Sequence, residues 1–192
     1  MTATIKERPY KENVTTQWVI DPLLSEIAFK VPYSMTKILK GRFNEFGATL
    51  CTEGKNYMSF EIDFWLNTNS INTRDKTRDS HLKGADFFDI EKYKQITFSG
   101  TSYEAKNTEG HYILTGDLMI KGIIKQIKMD VFFGGKMTDA WGNQRASYTV
   151  CGKINRKDWG LKWNKLLDNG GVMVSNEVSF NCEIQWITDT ES

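Results

Sequence analysis

Residues 57–66 read Tyr-Met-Ser-Phe-Glu-Ile-Asp-Phe-Trp-Leu, and Met58, Phe60, Ile62, Phe64 and Leu66 fall on alternate positions. Successive side chains of a β-strand point to opposite faces, so this segment has one apolar face and one wet face. The pattern returns at Ile127, Met129, Val131 and Phe133, and again at Val178, Phe180, Cys182, Ile184 and Trp186. A chain with several half-apolar antiparallel strands must roll those faces together, as a sandwich or as a closed barrel. A barrel can be filled by its own side chains or left hollow for an apolar ligand.

Other segments fit the same scheme. Strand patterns cover residues 18–20, 27–31, 41–50, 95–103, 111–120, 124–133, 146–154 and about 175–187, giving about eight or nine strands in all. Phe46-Gly47 reads as a bulge, Lys121-Gly122 as a hairpin turn, and Gly134-Gly135 with Gly142-Asn143 as the limits of a longer loop. Residues 70–84 lack the period of two. There Asn72 or Thr73 caps one short helix and Gly84 stops it. Residues 155–171, rich in Trp and Gly, form a second insertion. The 192 residues make one domain. Its barrel runs over 17–188, after a mobile arm at 1–16 and before a tail at 189–192.

Composition narrows the function. A net charge of +1 argues against a nucleic-acid partner, which calls for a basic face. Cys51, Cys151 and Cys182 are odd in number and widely spaced, and there are two histidines, His81 and His111. Reduced thiols follow, with no metal site and no cofactor. No GxSxG and no phosphate-cradling glycine loop is present. No run of about 18 apolar residues could span a membrane. The polar start at Met1 shows no signal-like apolar stretch, and the expected location is the cytoplasm.

Several ordered motifs then stand out: Trp18-Val-Ile-Asp21, Ser25-Glu-Ile-Ala-Phe29-Lys-Val31, Lys40-Gly-Arg-Phe43, Ser70-Ile-Asn-Thr73, Arg78-Asp-Ser-His-Leu82, Asp86-Phe-Phe-Asp89, Ile96-Thr-Phe98, Tyr112 to Leu118 with Ile120-Lys-Gly122, Ile154-Asn-Arg156 and Asp158-Trp-Gly-Leu161. On these the chain resembles the YceI-like family of lipid- or polyisoprenoid-binding proteins, from about Trp18 to Trp186. The resemblance implies an all-β, extended antiparallel, eight-stranded lipocalin-like barrel with one short helical insertion. It also implies a lumen for a long-chain isoprenoid, fatty acid derivative or similar amphiphile, bound, stored or transported without catalysis. Many relatives carry a secretion signal, and relatives usually place His where this chain has Tyr33.

The residues expected to line the lumen are Phe29, Val31, Phe43, Phe60, Ile62, Phe64, Phe98, Leu118, Met129, Val131, Tyr148 and Phe180. Tyr33, Arg78, His81 and Arg156 are the candidates for a polar head group at a barrel mouth. Two rival readings stay open: an enzyme acting on a bound lipid through His81 or Tyr148, and a packed barrel serving as a stress or interaction protein. Ligand identity and a homodimer are also left open.

Overall fold

The structure, a computed structural model, describes residues 15–34, 37–53, 60–107, 109–168 and 171–188. Within the strands, the side chains of Thr15, Glu53, Phe60 and Glu61 also lie outside the description, as do Met58 and residues 1–14 and 189–192. The strands are β1 Thr15–Ile20, β2 Glu26–Tyr33, β3 Lys37–Phe43, β4 Phe46–Glu53, β5 Phe60–Asn67, β6 Ile71–Asn72, β7 Gln95–Ala105, β8 His111–Ile120, β9 Ile123–Thr138, β10 Gln144–Asn155 and β11 Glu177–Thr188. Among the described residues there is one α-helix, α1, at Lys76–Lys83, and no described helix is long and apolar enough to cross a membrane.

These pieces close into an eight-stave antiparallel barrel. β1 and β2 share one edge of β11, with Ile20 opposite Trp186 and Ile27 opposite Cys182, so they form a single bent stave. β4 pairs with β1 and β3 with β2, making the next stave. β5 and its short continuation β6 form the third. β7, β8, β9 and β10 follow in order and return the sheet to β11. Closure removes the open edges that would otherwise pair with another chain.

The structure corrects several sequence expectations. Residues 41–50 are not one strand with a bulge: the chain breaks at Asn44-Glu45, where the Glu45 N–H turns to the Ser70 hydroxyl at 3.1 Å. Gly134-Gly135 do not open a loop but lie inside β9. The helix cap is neither Asn72 nor Thr73; Asp75 accepts from the Thr77 and Arg78 N–H groups. Strand β1 begins at Thr15, inside the segment read as an arm.

Three glycines give the barrel its shape inside. A Cβ on Gly41 would stand 2.3 Å from the Phe29 ring, one on Gly116 2.3 Å from Phe98, and one on Gly152 2.6 Å from Phe180. Each ring folds down over a neighbouring strand's bare backbone instead of projecting across the barrel, the aromatic-over-glycine arrangement of curved sheets.

At the bend between β1 and β2, Arg145 joins two carboxylates: its Nη1 donates to Asp21 Oδ2 at 2.7 Å and its Nε to Asp139 Oδ2 at 2.9 Å. The corner is thereby tied to the β9–β10 loop. Burial opposes ionisation of both acids, but the Arg145 hydrogen bonds together with those from the Leu23 and Leu24 N–H groups to Asp21, and from Asn143 and the Trp141 N–H to Asp139, outweigh it, holding Asp21 below its ordinary value and Asp139 down to about 2. A carboxyl with a depressed folded-state pKa stabilises above its unfolded value near 3.9 and loses that contribution as pH falls through the folded value. Arg145→Met should therefore melt below wild type at neutral pH, and the gap should close below about pH 4. A gap in melting temperature that is constant with pH would contradict the clamp.

Candidate functional site

The barrel is hollow. Its lumen is a cavity of about 820 Å³ whose wall carries residues from every stave. The alternating residues of β9 and β11 all face it, from Ile127 to Phe133 and from Val178 to Trp186. Of the residues read from sequence as lumen-lining, Phe29, Val31, Phe43, Ile62, Phe64, Phe98, Leu118, Met129, Val131, Tyr148 and Phe180 lie on this wall. Phe60 falls outside the described side chains. Cys182 also faces in, and burial pushes its thiol up to about 12, so it stays protonated at neutral pH. The three cysteines are free thiols.

The two ends differ. At the helix end the wall includes all four head-group candidates, Tyr33, Arg78, His81 and Arg156. The Tyr33 hydroxyl donates to Met173 Sδ at 3.2 Å. Arg78 is held from three sides: Nε to Thr73 Oγ1 and Nη2 to the Thr73 carbonyl, both at 2.8 Å, with Asp75 at 3.5 Å from Nη1. Asp79 fixes the other side of Thr73, accepting from its N–H at 2.9 Å and its hydroxyl at 2.5 Å. His81 Nε2 lies 3.1 Å from Asp86 Oδ2, and the ring meets Trp163 and Phe87 edge-on. The imidazole is thus engaged by a carboxylate and two aromatic rings.

Arg156 is only 4% exposed. Its Nε donates to the Ser175 carbonyl at 2.9 Å, its Nη1 to Leu161 and its Nη2 to Val174. No carboxylate pairs with it among the described residues, and burial lowers its pKa from the ordinary value. Among the described residues, the groups that compensate this cation are carbonyl oxygens.

The opposite end is phenolic. Tyr103 and Tyr112 stack with centroids 4.6 Å apart, and Tyr148 tilts against Phe133 at 5.2 Å. Burial, with Tyr148 and Tyr112 nearby, raises the Tyr103 pKa well above its usual range. Lys136 also faces the lumen there, its ammonium 5.1 Å from the centre of the Trp18 ring. Sequence reading missed Tyr103, Tyr112 and Lys136. The register shifts between Gly100 and Ser102, and again where Phe133 pairs with Tyr148 but Gly135 with Ser147. Each shift reverses the inward phase of the strand beyond it. The glycines at both shifts were the available signal for Tyr103 and Lys136; Tyr112 shares the phase of Leu114 and Leu118 along β8, and that alternation was its signal.

The fold and lumen define a small antiparallel barrel built to enclose an apolar molecule. The YceI-like domain profile matches residues 18–186, and the chain belongs to that family. A UPF0312 protein of Staphylococcus aureus strain N315 is 31% identical over 172 residues, covering 89% of this chain and 97% of its own length. One from Pectobacterium atrosepticum is 36% identical over 135 residues, covering 70% and 69%. Among solved structures, Burkholderia cenocepacia BcnA superposes with a TM-score of 0.74 at 20% identity, covering 86% of this chain and 98% of its own. A polyisoprenoid-binding domain of Saccharophagus degradans superposes with a TM-score of 0.67 at 14% identity, covering 90% and 98%. At these identities the two structures speak to the fold.

Proposed function

We propose that this protein binds and carries a long-chain apolar ligand, a polyisoprenoid or similar amphiphile, inside the barrel, with no covalent chemistry. The observation that carries the reading is the lumen itself: about 820 Å³, with a wall that is overwhelmingly apolar. At about 30 Å³ for each water-sized group, such a space accepts a chain of about 25 heavy atoms. At about 0.3 kcal/mol per atom, that chain binds with about 7 to 8 kcal/mol, near micromolar affinity. The family membership and the polyisoprenoid-binding neighbour support the ligand class. The hollow interior speaks against a barrel packed solid.

The polar end of the ligand belongs at the helix end. Burying a phosphate or carboxylate in the apolar middle would cost more than the chain gains. Arg78 and Arg156 supply positive charge at that mouth, His81 an imidazole and Tyr33 a hydroxyl.

Native mass spectrometry of freshly purified protein, followed by denaturing extraction, should show a bound apolar molecule with an isoprenoid or acyl chain. Protein that runs at its bare mass and also fails to take up a long-chain alcohol overturns the proposal. Binding of a long-chain alcohol and of its phosphate should then be compared in wild type and Tyr33→His. The substitution should raise the phosphate-to-alcohol affinity ratio, most clearly below about pH 6.5, where imidazole is charged. An unchanged ratio removes Tyr33 from the head-group contacts.

A further inference from the structure

The helix-end mouth is framed by four chain segments running side by side. β3 pairs with β2, Tyr33 of β2 bridges Val174, and Leu166 bridges Val172. Backbone bonds from Ser34 to Met173 and from Met173 to Lys165, 2.7 and 2.9 Å long, bind the segments into one rim. Two kinds of residue crowd this rim. Ile38, Leu166 and Val172 are apolar yet 63%, 75% and 46% exposed. Around them stand Lys30, Lys37, Lys40, Lys162 and Lys165, all exposed, and none pairs with a carboxylate among the described residues.

The lysines are placed at a cost. Lys30 and Lys40 are directly opposed across β2 and β3 on the outer face, and like charges in that relation destabilise a sheet. Of the carboxylates at this end, Glu26 is taken by Arg42, Glu177 by Lys153 and Asp75 by Arg78, while Asp86 lies against His81. Asp168, in the same hairpin as Leu166, offsets one charge. What remains is a positive collar with three apolar side chains projecting from it, at the mouth assigned above to the ligand's polar end. Apolar side chains that enter the headgroup layer, ringed by lysines that attract anionic lipid, are the chemistry of reversible membrane-surface binding.

We propose that this rim docks the barrel on an anionic lipid surface, so that an apolar chain passes between bilayer and lumen without crossing water. The proposal takes its purpose from the lumen reading above, but its test is independent of it.

The full chain is sedimented with vesicles of phosphatidylcholine alone and of phosphatidylcholine mixed with phosphatidylglycerol, at low and high salt. Wild type should bind the mixed vesicles, bind the neutral ones weakly, and release as salt rises. The variant K30E/K40E should bind the mixed vesicles at least about tenfold less tightly, from about one factor of five per lysine near such a surface. L166S should weaken binding with less change in its salt dependence. A control, K106E/K128E, reverses two exposed lysines near the phenolic end and should keep near-wild-type binding.

Long-chain alcohol uptake is measured on every variant, to show that each still folds and fills. Failure of wild type to bind anionic vesicles overturns the docking proposal while uptake decides the lumen reading separately. Equal losses in K30E/K40E and the control also overturn it, because binding would then follow overall charge. A dimer that K30E/K40E disperses, with no vesicle binding, would assign the rim to a second copy of this chain and overturn it as well.

Discussion

Ile62→Lys should destabilise the barrel by about 3 to 5 kcal/mol or empty its lumen, the cost of an unpaired charge in an apolar interior. Asp63→Lys, at the next residue, should stay within about 1 kcal/mol of wild type. The contrast follows from the faces of β5. Ile62 lies on the lumen wall and packs with the cluster of Phe98, Leu114, Met129 and Val131. Asp63 is exposed, and its carboxylate accepts from Ser99 Oγ at 2.9 Å. Urea unfolding and uptake of a long-chain alcohol measure the two effects. Equal losses from both substitutions would mean that the two faces are wrongly assigned.

Arg156→Met should cost about 3 kcal/mol, since it leaves the carbonyls of Leu161 and Ser175 without the Arg156 donors that now satisfy them, while that of Val174 keeps Asn164 Nδ2. Relief of the arginine's own burial offsets part of the loss. Arg156→Lys should recover little of it, because an ammonium cannot reproduce a planar fork of donors aimed at three carbonyls. Amide exchange should locate the damage. The protection of Ser34 and Ser175, which bond to Met173 and Pro32 across the mouth, should fall before that of β8 and β9. Wild-type stability in the lysine variant would show that the guanidinium geometry is not what holds the mouth together.

The inward faces of β9 and β11 were legible in the sequence because a period of two survives wherever one side of a strand is buried and the other wet. Arg156 and Arg78 were legible as polar residues in the non-strand insertions, though not their attachments. Arg156 grips three carbonyls and Arg78 grips Thr73, and both partnerships depend on how the chain folds back. The break at Asn44-Glu45 read as a bulge because Phe43 and Phe46 are both buried yet three residues apart, a change of phase that a bulge and a break produce alike. Lys136 was hidden for the converse reason. It shares a strand with Met129 and Val131, but the shift at Gly134 turns it inward against the alternation. The alternation also could not say whether the interior was hollow, because inward phenylalanines read alike whether they cross a barrel or lie along its wall.

The Phe29, Phe98 and Phe180 rings lie along the wall, and the reason is found under them. Gly41, Gly116 and Gly152 are not on the lumen surface; they are the beds in which these rings rest. A side chain at any of them would tip the ring above it toward the axis and divide the channel at that height. The calibre of the channel, and with it the longest chain that can lie straight inside, is therefore written at positions hidden beneath the lumen wall. One barrel could be refitted for shorter or bulkier passengers by filling a bed at 41, 116 or 152, with the helix-end mouth and its collar left as they are.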